Sequence, residues 1–155
     1  MTVGPKPNGE IPEEAQITLK GIGEWLKVNG EAIYDTVPWH LSGEGPTVMN
    51  VQGAFSDTKE KVHYTGEDFR FTMKDNVLYA TSLAWPAKDF TIKSLTADFS
   101  GNVYPGQIQS VKMVGVDYEL RWKSTSEGLS IERPDEKPCD HAYVFKITLN
   151  NALRP

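Results

Sequence analysis

The chain has 155 residues, 39% hydrophobic and 24% charged, with a formal net charge of −5. That is enough for one domain with a real core, or one domain plus part of another. No two Lys or Arg residues are adjacent, which argues against the clustered basic footprint of a nucleic-acid binder, and no apolar run approaches the roughly 18 residues of a membrane-spanning helix.

The first dozen residues, through "TVGPKPNGEIP", carry three prolines and two glycines and read as a strand end followed by a loop. The opening "MTVGPKPNGE" lacks a basic stretch followed by an apolar one, so nothing in the chain as it stands directs export. Pro12 suits the first helical position, and Glu13 and Glu14 suit the positive end of a helix dipole. Ala15, Leu19, Ile22 and Leu26 then recur at spacings of four, three and four, with Trp25 beside them, which predicts a helix over 12–29 with one apolar stripe. Lys27 falls in the last turn, and Asn29-Gly30 supplies a left-handed stop. Gly21 and Gly23 weaken this helix by up to ~1 kcal/mol each relative to Ala, or else mark a close approach to a neighbour.

After Gly30 the period changes to two. "DFRFTMK" aligns Phe69, Phe71 and Met73 on one face, and "VLYATSLAWP" alternates Val77, Tyr79, Thr81, Leu83 and Trp85, with Asp75-Asn76 between them as a tight hairpin. Further strands are predicted at 90–95, 108–115, 118–125, 128–134 and 142–150, with weaker candidates at 47–51 and 60–65. In the last of the main set, Tyr143, Phe145, Ile147 and Leu149 share a face. Ten prolines and thirteen glycines supply the turns. The expectation is a mainly β chain: an antiparallel β-sandwich of Greek-key or jelly-roll type, preceded by one amphipathic helix. A helix of this kind ahead of an all-antiparallel domain is normal where an α/β domain joins a β domain.

Several clusters invite a chemical reading. Cys139-Asp140-His141 sets a thiol near an imidazole, as a nucleophile or a metal half-site would. But Cys139 is the only cysteine, which also rules out an internal disulfide, and His40 and His63 are distant in sequence. The segment reads as a loop before the last strand. Glu67-Asp68 is an adjacent carboxylate pair, yet neighbours on a strand point to opposite faces, so the pair reads as a solvated strand entry rather than an acid/base couple. Asp35, Glu44 and Asp57 fall in loops without a visible partner. Trp25, Trp39, Trp85 and Trp122 have faces that suit a sugar ring, but Trp25, Trp85 and Trp122 read as core, leaving Trp39 the least committed. "GEGPT" at 43–47 lacks the Lys and following helix of a phosphate loop and reads as a turn. The residues alone give no catalytic, substrate-binding or metal site.

"VGPKPNGEIPEE" followed by "LKGIGEWLKVNGEAIYDTVPW" resembles the end of the catalytic barrel in glycoside hydrolase family 29, the α-L-fucosidases. "YTGEDFRFTMKDNVLYA", "SLAWP", "SVKMVG", "ELRWKSTSEGLSIERP" and "VFKITL" follow in the order of that family's C-terminal sandwich. The resemblance covers about residues 3–149 and implies that Thr2-Val3-Gly4 ends the eighth barrel strand. It implies that helix 12–29 is the last barrel helix, so that residues 1–33 belong to the barrel and 34–155 to the sandwich domain. It implies a parent that is a retaining exo-glycosidase acting on terminal α-L-fucose, periplasmic or secreted in a bacterium, without a cofactor. Its Asp nucleophile and Glu acid/base, ~5–5.5 Å apart, would lie on earlier barrel strands, so no catalytic residue transfers to this chain. Lys6–Glu10 would sit at the barrel mouth and reads as a structural loop. Val37 stands where many relatives carry Arg.

Three expectations follow. The chain alone is a non-catalytic support for the barrel, whose fucosylated glycan it meets only through the missing domain. As alternatives, it is a free-standing carbohydrate-binding module using Trp39 or Trp85, or a structural and assembly domain. The stripe Ala15, Leu19, Ile22 and Leu26, without its barrel, either folds back on the sandwich or self-associates with another chain.

Overall fold

In the computed structural model, residues 4–48, 62–96 and 107–151 are described. Helix α1 spans Glu13–Asn29, with Pro12 as its N-cap, Glu13 and Glu14 in the first turn and Lys27 in the last. The left-handed stop expected at Asn29-Gly30 does not form. Gly30 has φ −58° and ψ −27° and opens a one-turn 3₁₀ helix, Gly30–Ala32. Its glycine serves proximity instead, since a Cβ there would lie 2.8 Å from Cε2 of Tyr34. The left-handed residue is Asp35, at φ 57°.

Eight strands follow among the described residues: β1 (Val37–Glu44), β2 (Phe69–Lys74), β3 (Val77–Ser82), β4 (Phe90–Ile92), β5 (Ile108–Met113), β6 (Trp122–Thr125), β7 (Gly128–Ile131) and β8 (Tyr143–Leu149). All pairings are antiparallel, in a five-stranded sheet ordered β1-β2-β3-β8-β5 and a three-stranded sheet ordered β4-β7-β6. The β2–β3 hairpin closes on Lys74 opposite Val77 with Asp75 at φ 54°, as the Asp-Asn pair predicts.

β1 is the strand the period-two pattern missed. Pro38 interrupts it, only Trp39 is buried, and its pairing with β2 slips between Pro38 and Gly43. Segments 90–95 and 118–125 are strands only in part. Lys93–Leu95 turns into a 3₁₀ helix because the Glu44 carboxylate accepts the Lys93 and Ser94 amides, each at 2.7 Å. Glu44, assigned to a loop without a partner, thus ends a strand and ties the two sheets together. Of the weaker strand candidates, residues 47, 48 and 62–65 are irregular; the remainder, like Asp57 and Thr2-Val3, lies outside the described residues.

The core lies between the sheets. Phe69, Phe71, Leu78, Phe145 and Ile147 from the larger sheet meet Phe90, Ile92, Leu129 and Ile131 from the smaller. Three rings hold its centre, with Phe69–Phe90 centroids 5.7 Å apart and Phe90–Phe145 4.9 Å apart, distances at which aromatic pairs add to simple burial. The β6–β7 turn fits against this core at Gly128, whose φ is +137° and whose Cβ would fall 2.3 Å from the Ile92 carbonyl oxygen. Gly128→Ala is therefore expected to destabilise the fold by roughly 1–3 kcal/mol, read as a lowered urea midpoint. An unchanged midpoint would show that β4 yields there freely.

Candidate functional site

Helix α1 has two apolar faces, and the sequence stripe is not the one that docks. At roughly 100° per residue, Gly21, Trp25 and Val28 lie a quarter to nearly half a turn from the centre of the stripe formed by Ala15, Leu19, Ile22 and Leu26. The docked face is the former. The Trp25 indole N–H donates to the Ala142 carbonyl at 2.8 Å, and its ring packs on a second apolar cluster of Ala32, Tyr79, Val114 and Val144, on the outer face of the larger sheet. Leu19 and Ile22 stay 37% and 41% exposed. They do not fold back on the sandwich.

Polar contacts fix the end of the helix. Glu31 Oε2 accepts from the Tyr79 hydroxyl at 3.0 Å and from Lys146 Nζ at 2.5 Å. Burial, and then the Glu31 carboxylate, pushes the Tyr79 phenol far above its ordinary value. Thr72 Oγ1 donates to the Ala32 carbonyl at 2.7 Å. The C-terminal half of α1 is thus pinned, while the N-terminal half stands off the sheet. Between them lies an open cavity of about 840 Å³ lined by Ile17, Ile22, Trp25, Thr81, Leu83 and His141, among others. Ile17 is 65% exposed at its edge. Gly21 borders this space, where a Cβ would lie 4.0 Å from His141 Nε2; Gly23 meets nothing. The exposed wall area is mostly apolar, with Thr18, Lys20, Glu24, Thr81 and His141 among the lining residues, a surface suited to packing.

The clusters flagged from sequence separate in space. Cys139 Sγ accepts from the Asn29 side-chain amide and donates to the Ala142 carbonyl, each at 3.3 Å. Burial raises its thiol pKa, which works against the thiolate a nucleophile needs. His141 is exposed, at φ 76°. The thiol therefore acts as a polar link between α1 and the loop before β8.

Glu67-Asp68 is corrected in one half. Glu67 is solvated, 4.0 Å from Lys88, but Asp68 is only 2% exposed. Its carboxylate accepts the Thr47 amide at 3.0 Å and hydroxyl at 2.8 Å, and the Thr65 amide at 2.7 Å and hydroxyl at 2.9 Å. These outweigh burial, which would raise its pKa, and hold the carboxyl below its ordinary value. The signal was present in "TGED": a threonine three residues before an aspartate can close a local turn through both side chains.

Of the tryptophans, Trp39 is buried and packs edge-on against Phe71 at 5.1 Å. The ring expected to be least committed is core, unavailable for stacking on a sugar. Trp85 packs on Tyr143 at 4.8 Å, with Arg133 and Lys137 5.4 and 5.5 Å from its centroid. Cations cover the ring that the binding-module reading needs open. The Lys6–Glu10 loop bonds to itself, with Lys6 N donating to Glu10 O and Gly9 N to Lys6 O, both at 2.8 Å.

What such a pinned helix and sandwich belong to is decided by comparison. Residues 56–148, more than half of the chain, match the model of the α-L-fucosidase C-terminal domain. The chain belongs to that α-L-fucosidase family. Residues 1–31 match a second model, that of α-L-fucosidase, and this stretch takes in α1. The rat tissue α-L-fucosidase is 29% identical over 97% of this chain and 28% of its own length. The α-L-fucosidase of Branchiostoma floridae is 29% identical over 95% of this chain and 28% of its own. This chain thus spans under a third of the length of these relatives. Among solved structures, a Thermotoga maritima α-fucosidase in complex with a mechanism-based inhibitor superposes with a TM-score of 0.66 at 24% identity, over 95% of this chain and 29% of that one. Isoenzyme 1 from Paenibacillus thiaminolyticus gives 0.61 at 22%, over 96% and 30%. The sandwich fold is shared with both.

Proposed function

We propose that this chain is the C-terminal part of an exo-acting, retaining α-L-fucosidase that removes terminal fucose from glycans. In this reading residues 1–33 complete the catalytic barrel and residues 34–155 form the sandwich beside it. The observation that carries it is the open stripe at Leu19 and Ile22, on a helix inside the residues that match the α-L-fucosidase model. An apolar helix face left in water favours association with another apolar surface. The sandwich then acts as a buttress: Trp25, Val28 and Glu31 fix the helix from behind while the stripe faces the barrel.

Double displacement at the anomeric carbon needs two carboxyls ~5–5.5 Å apart. Asp68, bound by four donors and depressed in pKa, is committed to structure. The chemistry is accordingly assigned to the barrel and the support to this chain. Purified alone, the chain is expected not to hydrolyse an aryl α-L-fucoside, whereas the same chain joined to its barrel does. Turnover by the isolated chain that survives exhaustive purification would overturn the assignment, as would an inactive barrel-containing parent.

A further inference from the structure

The chain contains two Asn-Gly pairs, Asn8-Gly9 and Asn29-Gly30. Asparagine is among the chemically fragile side chains. Its weakness is the amide nitrogen of the following residue, which attacks the side-chain carbonyl carbon when the two meet. Glycine in that place has no Cβ to obstruct the attack. By local sequence the two pairs are equal; the fold separates them.

Asn8 lies in the exposed Lys6–Glu10 loop. Gly9 has φ +83°, and a Cβ there would meet nothing within 4 Å among the described residues, so the pair has room to close a ring and to admit water. The Glu10 amide donates to Asn8 Oδ1 at 3.2 Å. That donor polarises the carbonyl under attack and steadies the oxyanion that forms as the nitrogen adds. One bond must first open, since the Gly9 amide donates to the Lys6 carbonyl at 2.8 Å. It closes an exposed turn, where local opening costs little.

Asn29 is held the opposite way. It is 0% exposed. Its side-chain nitrogen donates to the Trp25 carbonyl and to Cys139 Sγ, each at 3.3 Å, which ties down the leaving group. Its Oδ1 is buried and has no hydrogen-bond partner among the described residues, so no donor polarises the carbonyl. The Gly30 amide is committed to the Leu26 carbonyl, and Gly30 itself is helical. Attack there requires the end of α1 to unwind.

We propose that Asn8 is a site of spontaneous deamidation, with water as the co-reactant, and that the fold shields Asn29 from the same reaction. The Gly9 nitrogen bonds to Asn8 Cγ and gives its proton to water. The side-chain nitrogen takes up a proton from water and leaves as ammonia. Water then adds to either carbonyl of the cyclic imide, opening it to aspartate or isoaspartate. Both products place a new carboxylate in the loop, and isoaspartate also lengthens the backbone of the turn by a methylene.

The test incubates the chain for days in mildly alkaline buffer, folded and in urea, and follows the Asn8 and Asn29 peptides by mass spectrometry. An isoaspartate-specific carboxyl methyltransferase serves as a second probe. In the folded chain the Asn8 peptide should convert at least about tenfold faster than the Asn29 peptide. In urea the two should convert at similar rates. Glu10→Pro removes the donor to Asn8 Oδ1 on an exposed loop, and should slow conversion at Asn8 by about threefold or more. Equal rates in the folded chain, or an Asn8 peptide that stays intact, would overturn the proposal. So would a gap between the two peptides that persists in urea, since local sequence and not the fold would then set it. A Glu10→Pro variant that converts as fast as the parent would remove the role given to the Glu10 amide.

Discussion

Asp68→Ala is expected to be the most damaging single polar substitution in this chain, costing roughly 3–4 kcal/mol. Asp68 is 2% exposed and accepts four hydrogen bonds, from two threonines that lie 21 and 3 residues before it. Bonds to a charged group contribute ~1.5–3 kcal/mol each but do not add. Removing the carboxylate takes the acceptor from the Thr47 and Thr65 amides and frees both threonines together. Domains of this size are stable by only about 5–15 kcal/mol, so the variant should show a much lower urea midpoint at neutral pH.

The pH dependence gives an independent reading. Burial raises the Asp68 pKa and the four bonds lower it, with a net shift below 3.8. A folded-state value under the unfolded one means that the stabilisation is fully present above about pH 4. It is lost as pH falls through the lower folded value. The parent chain should therefore lose stability on acidification in that window, and Asp68→Ala should lack that component. Equal acid slopes in the two proteins would show that the carboxylate is not held as described.

The second large effect concerns the exposed helix stripe. Leu19→Glu together with Ile22→Glu should lower the urea midpoint of this chain only modestly, because Leu19 and Ile22 are already 37% and 41% exposed and changes at such positions usually cost about 1 kcal/mol or less. Introduced into the barrel-containing parent, the same pair should cost several kcal/mol, since each new carboxylate would be buried without a partner. The measurement is the difference between the two thermal midpoints, one for each context. A parent that tolerates both glutamates would show that nothing apolar covers this face.

The parts of the fold legible in the sequence are those where one buried face dictates the pattern. Phe69, Phe71 and Met73 alternate because β2 lies over the core, and Tyr143 to Leu149 because β8 does. β1 carries no such pattern. It lies at a sheet edge, buries Trp39 alone and includes a proline, so period-two reading passes over it. The helix stripe was expected to fold back on the sandwich or to self-associate, and Leu19 and Ile22 do not fold back. The residues that dock, Trp25 and Val28, are too few to make a periodic signal. Glu44 was misread because its partners, Lys93 and Ser94, lie far along the chain, and Asp68 because the local Thr65 turn was passed over and its other partner, Thr47, is distant. Distant donors leave no mark on local spacing. Trp39 fell to the opposite error, since a Pro before it and a His after it look like a loop while the ring inserts beside Phe71.

The order β1-β2-β3-β8-β5 sets the last strand between two earlier ones, where it pairs with β3 on one side and β5 on the other. During synthesis, then, β3 and β5 emerge before the strand that joins them, and the larger sheet cannot close until β8 has followed. Until then the facing backbone edges of both neighbours wait unpaired, in reach of chaperones. Deleting β8 would leave that seam open.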